Sequence, residues 1–237
     1  MRRIGLVFVV LLGLISCKKE IHSTQNTVLF GKIEGIKTGK LYLERLTDSV
    51  AVIVDSVTFN GNSDFSFAFD IDSPEMVYLY LEKTINAPIN DFLAVFVEPG
   101  KIDVQTTLEN FEADAKVSGS VNHEKWVEYQ QLSKRYQDKR LELIKEIYEA
   151  EMKNNTQKIL DINRQNQLLI QSSYMSTVNF ALNNSDLEIA PFLAMYEIFD
   201  INTKYLDTIN SQLTERVKNS KYGKDLQKYI FERKNLE

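Results

Sequence analysis

Cys17 is the only cysteine in the 237-residue chain, and it lies near the amino terminus. A lone cysteine has no partner for an intramolecular disulfide, and no C-x-x-C motif is present for thiol–disulfide exchange. No Cys–His pair is recognisable either. The sequence therefore predicts neither a cysteine nucleophile nor a redox function for this chain.

His22 and His123 are the only histidines, and they lie far apart in the sequence. Zinc sites normally use three or four ligands at recognisable spacing, which these two residues do not provide. No G-x-S-x-G motif supplies a serine nucleophile for a histidine base. We predict two solvated histidines, no metal site and no cofactor.

Acidic residues offer a second possible chemistry. Asp64, Asp70 and Asp72 lie close together, but their spacing is not that of a calcium-binding EF-hand loop. We predict them to be edge charges that oppose the pairing of one sheet with another. Glu149 and Glu151 stand among lysines and arginines, and we predict that they lie on one solvated helix face.

Aromatic residues are abundant, with 13 Phe, 11 Tyr and one Trp. Tyr42, Tyr78 and Tyr80 alternate with apolar residues, so they share one face of a predicted sheet. Packing beneath helices is the preferred interpretation, and a platform for a ligand or glycan is the alternative. Trp126 is expected to pin the first helix to the β-rich part.

The chain begins with Met1-Arg2-Arg3 and an uninterrupted apolar run from Ile4 to Ile15. This order of a basic segment followed by an apolar one is typical of a secretory signal. The run has twelve residues, whereas a transmembrane helix needs about 20. We therefore expect export rather than a permanent transmembrane helix.

The segment Leu14-Ile15-Ser16-Cys17 resembles the lipobox of bacterial lipoproteins. The resemblance implies that residues 1–16 are removed and that Cys17 is acylated, with a second acylation at the new amino terminus giving stable anchoring. An ordinary cleaved signal with a stray cysteine is the alternative. Lys18, rather than aspartate, follows the cysteine, which favours the outer membrane. The expected location is that membrane, with the protein facing the periplasm.

The charge balance bears on the choice of partners. Loss of Arg2 and Arg3 with the signal leaves 26 basic against 33 acidic side chains, a formal charge of −7. Nucleic-acid binding normally requires a basic face, so we expect no nucleic-acid partner. An exported chain with no disulfide must depend on its hydrophobic core for stability.

Residues 28–119 show the pattern of short strands bounded by turn residues. Phe65, Phe67 and Phe69 alternate with polar or small residues, the period of two typical of a half-buried strand. Many such strands without an intervening helix indicate an antiparallel β-sandwich or an open barrel. The other predicted strands include Leu41–Leu43, Val50–Val57, Val77–Leu81, Phe92–Val97 and Ile102–Val104.

After Gly119 the apolar residues recur every three or four positions, which indicates helices and an α+β fold. Ser120 and Asn122 are N-cap candidates for the first helix. Two long helices, separated by a polar turn at residues 153–155, are predicted to form an antiparallel pair. Three further helices are predicted over Ala190–Phe199, from Asn202 through Val217 and from about Lys224 through Phe231.

These observations divide the chain into four predicted parts. Residues 1–16 are a lipoprotein signal peptide, and residues 17–27 are a lipidated tether. Residues 28–119 are a β-rich domain, and residues 120–237 are a helical domain.

The order of short motifs is similar to that of domain-of-unknown-function family 4369, a β-rich domain of exported bacterial lipoproteins. The similarity covers about residues 28–120. In that family the domain is commonly followed by helices and a thioredoxin-like oxidoreductase domain, which we expect this chain to lack. No position matches the family's C-x-x-C motif, so the redox activity is not implied here. The motifs are Phe30-Gly31-Lys32-Ile33-Glu34-Gly35, Asp55-Ser56-Val57, Asp64-Phe65-Ser66-Phe67, Val97-Glu98-Pro99-Gly100 and Gly119-Ser120-Val121-Asn122.

The expected function is that of a non-enzymatic binding or scaffold module, because no catalytic constellation is recognisable. The expected partners are the membrane, through the lipid on Cys17, and another envelope protein. Two alternatives remain: an accessory partner of a separate thioredoxin-like oxidoreductase, and an unrecognised envelope hydrolase.

Overall fold

The structure, a computed structural model, describes residues 24–47, 50–82 and 91–236. Cys17 and His22 lie outside the described residues, as do the predicted signal and most of the predicted tether. Strands come first and helices follow, which confirms the α+β class. The strands are β1 (Thr27–Glu34), β2 (Thr38–Thr47), β3 (Val50–Asn60), β4 (Asp64–Phe69), β5 (Glu75–Glu82), β6 (Asp91–Val97), β7 (Gly100–Thr107) and β8 (Lys116–Ser118). The helices are α1 (Val121–Met152), α2 (Thr156–Asn183), α3 (Ile189–Tyr196), α4 (Thr203–Gln212), α5 (Glu215–Lys218) and α6 (Lys221–Lys234).

The strands form two open sheets. Sheet A has the order β4-β1-β7-β8 and sheet B the order β3-β2-β5-β6. Because the strands form two separate sheets, the structure corresponds to the sandwich among the two predicted forms. Most strand pairs are antiparallel, as predicted, but β1 and β7 run parallel from Thr27 opposite Gly100 to Glu34 opposite Thr107.

The sandwich core follows from the alternation of side chains along each strand. Phe65, Phe67 and Phe69 are buried while Asp64 and Ser66 are exposed, which confirms the predicted period of two. Each buried side chain of this size contributes about 1.5–3 kcal/mol through removal of apolar surface from water. The inward residues of the other strands include Leu29, Ile33, Leu41, Leu43, Leu79, Leu81, Val95, Ile102 and Val104.

The two long helices form the predicted antiparallel pair. With 32 residues, α1 is about 48 Å long. Its distal part packs on α2 through Leu143, Ala150 and Ile162. Asn155 caps α2 by accepting a hydrogen bond from the Lys158 backbone N–H at 3.1 Å.

The smaller helices differ from the prediction at their ends. The helix predicted through Val217 is broken, because Leu213 and Thr214 have extended backbone conformations. Thr214 then caps α5, with its hydroxyl accepting from the Val217 N–H at 3.4 Å. Similarly, α3 ends at Tyr196 rather than Phe199, and α6 begins at Lys221 rather than Lys224.

Strands and helices meet in one apolar layer, called the junction below. Met76 and Phe96, on the outer face of sheet B, pack against α1, α3 and α6. Trp126 stacks on Tyr129 at 6.0 Å between ring centroids and packs edge-on against Phe192 of α3 at 5.7 Å. It therefore belongs to this layer, and its role in holding the first helix to the sandwich stays a prediction. Since strands and helices share this layer, the division into two domains stays a prediction. The helical members of the junction include Tyr129, Phe180, Phe192, Leu193 and Tyr222.

Candidate functional site

A cleft of about 660 Å³ lies at the rim of the junction. It is bounded by the β4–β5 connection, by the turn between β6 and β7, and by the start of α6. Its walls are polar and charged, so it is the first place to look for chemistry. The residues that line it include Ser73, Glu98, Glu188, Arg216 and Lys221.

Asn122 is the central polar residue beside this cleft. Its backbone N–H donates to Glu98 Oε1 at 2.6 Å, and its side-chain amide donates to Glu98 at 3.1 Å and to Glu188 Oε2 at 3.2 Å. Its Oδ1 accepts from the Ile189 N–H at 2.8 Å. Asn122 therefore ties α1 to the β6–β7 turn and to α3.

The cap of α1 is Ser120, not Asn122. The Ser120 hydroxyl accepts from the His123 N–H at 3.0 Å, which is the usual N-cap geometry. Asn122 lies inside the first turn, where its side chain makes tertiary rather than capping hydrogen bonds. One of the two predicted N-cap candidates is thus confirmed, and the other has a different role.

Glu188 is a buried carboxylate with an exposed partner. Its side chain is 1% exposed and forms an ion pair with Arg216, whose side chain is 58% exposed. Arg216 also donates to the Asp186 backbone carbonyl. A buried carboxylate is costly unless it is paired, so Arg216 holds the start of α5 against α3 by neutralising Glu188.

Glu75 forms a second buried ion pair beside the cleft. Its carboxylate contacts Arg45 Nε at 3.0 Å and Lys221 Nζ at 2.8 Å. The Lys221 N–H donates to Ser73 Oγ at 3.0 Å, and the Tyr222 hydroxyl accepts from the Met76 N–H at 2.9 Å. The amino-terminal turn of α6 is therefore bonded directly to β5 and the connection before it.

His123 is buried, so the prediction that it is solvated is wrong. Its Nδ1 accepts from the Phe96 N–H at 3.2 Å, and burial lowers the pKa of the imidazole to about 4. The side chain is therefore neutral at neutral pH and joins α1 to β6. The sequence did contain a signal for this burial. His123, Trp126 and Tyr129 follow one another at intervals of three residues, which places His123 on the packed face of α1.

Tyr129 and Glu197 form a further polar pair within the helical part. The Tyr129 hydroxyl donates to Glu197 Oε2 at 3.3 Å and lies 3.1 Å from Thr177 Oγ1. Burial raises the pKa of the Tyr129 hydroxyl, and desolvation raises the pKa of the Glu197 carboxyl. This is one carboxyl next to one protonated phenol, and neither is activated as a nucleophile.

The predicted acidic residues do not converge on one site. Asp64 lies on β4, an edge strand, as the edge-charge prediction requires, whereas Asp70 and Asp72 lie in the connection after it. Asp70 Oδ1 accepts from the Asn26 N–H at 2.8 Å. In the part of the chain that the structure describes, no group of three His, Cys, Asp or Glu residues could hold a metal ion. Glu149 and Glu151 are both exposed on α1, as predicted, but residues two apart on a helix do not share one face.

The three predicted tyrosines divide between the two interpretations. Tyr78 packs under the helices at the junction, and burial raises the pKa of its hydroxyl. Tyr42 and Tyr80 lie farther along the same face of sheet B, partly exposed, with ring centroids 6.0 Å apart. Phe92, opposite Tyr80 on β6, is exposed beside them.

Two other apolar surfaces are exposed, and the sequence did not predict either. The first is the amino-terminal half of β3, where Val50, Val52, Ile53 and Val54 are 62%, 47%, 56% and 37% exposed. The second is a stripe on the face of α1 that points away from α2. Its members, Leu141, Ile144, Tyr148 and Met152, recur at intervals of three or four residues.

The fold and the cleft together define a structural class of protein. It is a two-sheet sandwich with helices packed on the outer face of one sheet, and the buried carboxylates Glu75 and Glu188 form ion pairs that join its parts. Residues 27–126 match a family model described as Domain of unknown function (DUF4369), and this β-rich part of the chain belongs to that family. The match includes Glu98, Asn122 and His123. No curated protein and no solved structure matches the chain. Within residues 24–47, 50–82 and 91–236, no helix is both long and apolar enough to span a bilayer.

Proposed function

We propose that this protein is a non-enzymatic binding or scaffold module, held on a bacterial envelope membrane by acylation of Cys17. The observation that carries the proposal is the state of the buried carboxylates at the cleft. Glu75 and Glu188 are neutralised by basic side chains, and Glu98 accepts hydrogen bonds from Ser120 and Asn122. These groups join strands to helices. The contacts occupy both carboxylate oxygens of Glu75 and Glu188, and they occupy Oε1 of the half-buried Glu98.

The contacts of these carboxylates also argue against the alternative that the protein is a hydrolase. Hydrolysis by paired carboxylates needs one protonated acid and one free base or nucleophile facing the substrate. Glu98 and Glu188 both accept from the Asn122 amide, and Glu188 is also bound to Arg216. His123 is equally unsuited as a general base, because its Nδ1 accepts from the Phe96 backbone within the junction.

The proposed location follows from the lipobox resemblance. Acylation of Cys17 would place the folded part on the periplasmic face of the outer membrane, with the residues before β1 as a spacer. An envelope protein would then meet the exposed apolar surfaces of β3 and α1 close to the bilayer. Exposed apolar patches on a soluble surface commonly mark such interaction sites.

Acylation is tested by metabolic labelling with a radioactive fatty acid in intact cells. Cys17→Ala is expected to remove the label and to move the protein from the membrane fraction to the soluble fraction, since the acyl chains supply the membrane affinity. Lys18→Ala is the matched control and should keep both properties. A Cys17→Ala protein as labelled and as membrane-bound as the parent would refute the anchor.

The binding role is tested by crosslinking in intact cells, followed by mass spectrometry of the captured proteins. The same envelope protein should be recovered in repeated experiments, and the purified chain should turn over none of a broad panel of glycan and peptide substrates. Turnover that Glu98→Gln abolishes, in a variant with unchanged circular dichroism, would replace the binding role with an enzymatic one.

We propose a second candidate function, that of an accessory partner of a separate thioredoxin-like oxidoreductase. This candidate rests on what the family resemblance implies, a common fusion of such domains to thioredoxin-like oxidoreductases. Recovery of a C-x-x-C protein in the crosslinking experiment would support this role. Recovery of other proteins alone would exclude it.

A further inference from the structure

Val50–Val54, called the β3 edge below, is an outer edge of sheet B. The order β3-β2-β5-β6 leaves β3 paired on one side only, with β2. Its other side therefore presents backbone N–H and C=O groups that no described strand occupies. Unpaired edges of this kind are templates for an added strand.

The β3 edge is apolar on both faces. Val52 lies opposite Arg45, and Ala51 lies opposite Leu46 on the other face of the ribbon. A register shift between Leu43 and Glu44 separates this exposed half from Phe59, which is buried in the sandwich core. An added strand would thus meet apolar side chains both above and below the sheet.

The other sheet edges are protected, which makes the β3 edge exceptional. The carboxyl-terminal part of the β6 edge is covered by α1, whose His123 accepts from the Phe96 N–H. β8 has only three residues and also contacts α1, and β4 carries Asp64 at its start. Lysine and proline are absent from Val50–Val54, and no helix among the described residues contacts β3 extensively. The register shift beside Val54 is a bulge at the end of this segment and leaves Val50–Ile53 in regular pairing with β2.

Charge indicates which partner fits. Glu44 lies opposite Ile53, and Asp55 follows the β3 edge directly. Neither carboxylate has an ion-pair partner among the described residues. Asp55 lies opposite Leu43, so Asp55 and Glu44 are on opposite faces of the sheet. A second copy of the chain would bring its own Glu44 and Asp55 and leave all four carboxylates without a counter-ion. Two successive basic residues of a partner strand would instead supply one counter-ion on each face.

We infer that the β3 edge binds an extended apolar segment of another protein as an added antiparallel strand, with basic residues at the amino end of that segment. Antiparallel pairing continues the pattern of sheet B, and it places the partner's amino end beside Asp55. Backbone hydrogen bonds supply affinity, and alternate side chains supply specificity. The inference rests on the proposed binding role and names the surface and partner class that it uses.

The test uses the full chain and two capped peptides of the same composition. Each has six alternating valine and threonine residues plus two lysines, at the amino end in one peptide and at the carboxyl end in the other. Binding is followed by nuclear magnetic resonance. We expect chemical-shift changes centred on residues 50–54 and at least threefold tighter binding of the peptide with amino-terminal lysines. Equal affinities would overturn the assigned charge and direction.

Val52→Lys should weaken binding of the preferred peptide at least tenfold, because a lysine on an edge strand opposes strand addition. Leu141→Lys is the matched control, since Leu141 is 64% exposed on α1 and away from the β3 edge. It should leave peptide affinity unchanged. Equal loss in both variants would show nonspecific apolar binding and overturn the inference. Circular dichroism of both variants establishes that the fold is retained.

Two further measurements decide the remaining alternatives. Amide hydrogen exchange in the free chain should be fast for those backbone N–H groups of the β3 edge that point away from β2. Slow exchange of these groups would mean that the edge is already covered. Analytical ultracentrifugation should show a monomer, whereas a dimer abolished by Val52→Lys would make a second copy the occupant. If peptide binding fails while crosslinking still recovers an envelope protein, this inference is lost and the proposed function stands.

Discussion

Asn122 joins three segments that are distant in the sequence. Its amide and backbone bind Glu98 after β6, Glu188 before α3 and the Ile189 N–H. A buried amide is tolerated because its polar atoms are bonded, and each bond contributes about 1 kcal/mol net. At this scale the cleft is a set of structural contacts whose removal should affect stability before any function.

Arg216→Met should lower the free energy of unfolding by about 2 kcal/mol or more, because it leaves the Glu188 carboxylate buried without a counter-ion. The effect is smaller than for a wholly buried pair, since Arg216 is more than half exposed. Denaturant unfolding measures it. Lys218→Met is the matched control, because its partner Glu215 is exposed, and it should cost less than about 1 kcal/mol. A similar cost for both variants would contradict the assigned role of Arg216.

The residue-scale predictions from sequence succeeded where the signal is local. Ser120 was identifiable as a cap because capping depends on residues within one turn. The contacts of Glu98, Asn122, Glu188 and Arg216 were not identifiable, because these residues come from four separate segments and nothing in their local spacing brings them together. His123 was predicted to be solvated although its spacing from Trp126 and Tyr129 places it on the packed face of α1. Its hydrogen bond to the Phe96 N–H was not identifiable, because that partner lies on a separate strand.

Among the elements, the parallel pair of β1 and β7 departs most from the sequence prediction. Periodicity identified both as strands, but the choice of neighbour depends on the whole sheet. The pair needs a glycine at one position, because a Cβ on Gly31 would stand 1.8 Å from the Val104 carbonyl oxygen. The break between α4 and α5 was missed for a related reason: the apolar period of Leu206, Ile209, Leu213 and Val217 continues through it.

Gly31→Ala should destabilise the chain by about 3 kcal/mol, because the backbones of β1 and β7 must separate to admit a methyl group. Thermal unfolding measures this loss. Gly61→Ala is the control for backbone strain alone, since Gly61 has φ +86° and nothing within 4 Å of the added Cβ. It should cost about 1 kcal/mol. Equal costs would mean that the close approach at Val104 is unimportant.

For the whole molecule, the junction decides whether sandwich and helices unfold together. Phe96 packs edge-on against Phe192 of α3 and Tyr222 of α6, with ring centroids 5.6 and 5.9 Å apart. The same strand donates its backbone N–H to His123 of α1. The sandwich and the helices thus share an apolar layer that contains a buried hydrogen bond. We expect them to unfold together in one cooperative transition, even though the hydrophobic pattern of the sequence changes sharply at Gly119.

Acid should weaken this junction. The folded state holds His123 neutral with a pKa of about 4, whereas the unfolded chain protonates it near pH 6.5. The stabilisation is therefore complete above pH 6.5 and is lost as the pH falls towards 4, by about 3 kcal/mol in total. Urea unfolding at a series of pH values measures the loss. His123→Gln should flatten the profile between pH 6.5 and 4, and an unchanged slope in that variant would refute the assignment.

The position of β1 has a mechanical consequence. The first described strand lies in the interior of sheet A, between β4 on one side and β7 on the other. A pull on the amino terminus along the strand would load both rows of hydrogen bonds in shear, so that many bonds share the force at once. The same pull on an outer strand would load a single ladder, so that fewer bonds would share the force. The chain is thus built to resist traction applied from its amino-terminal side.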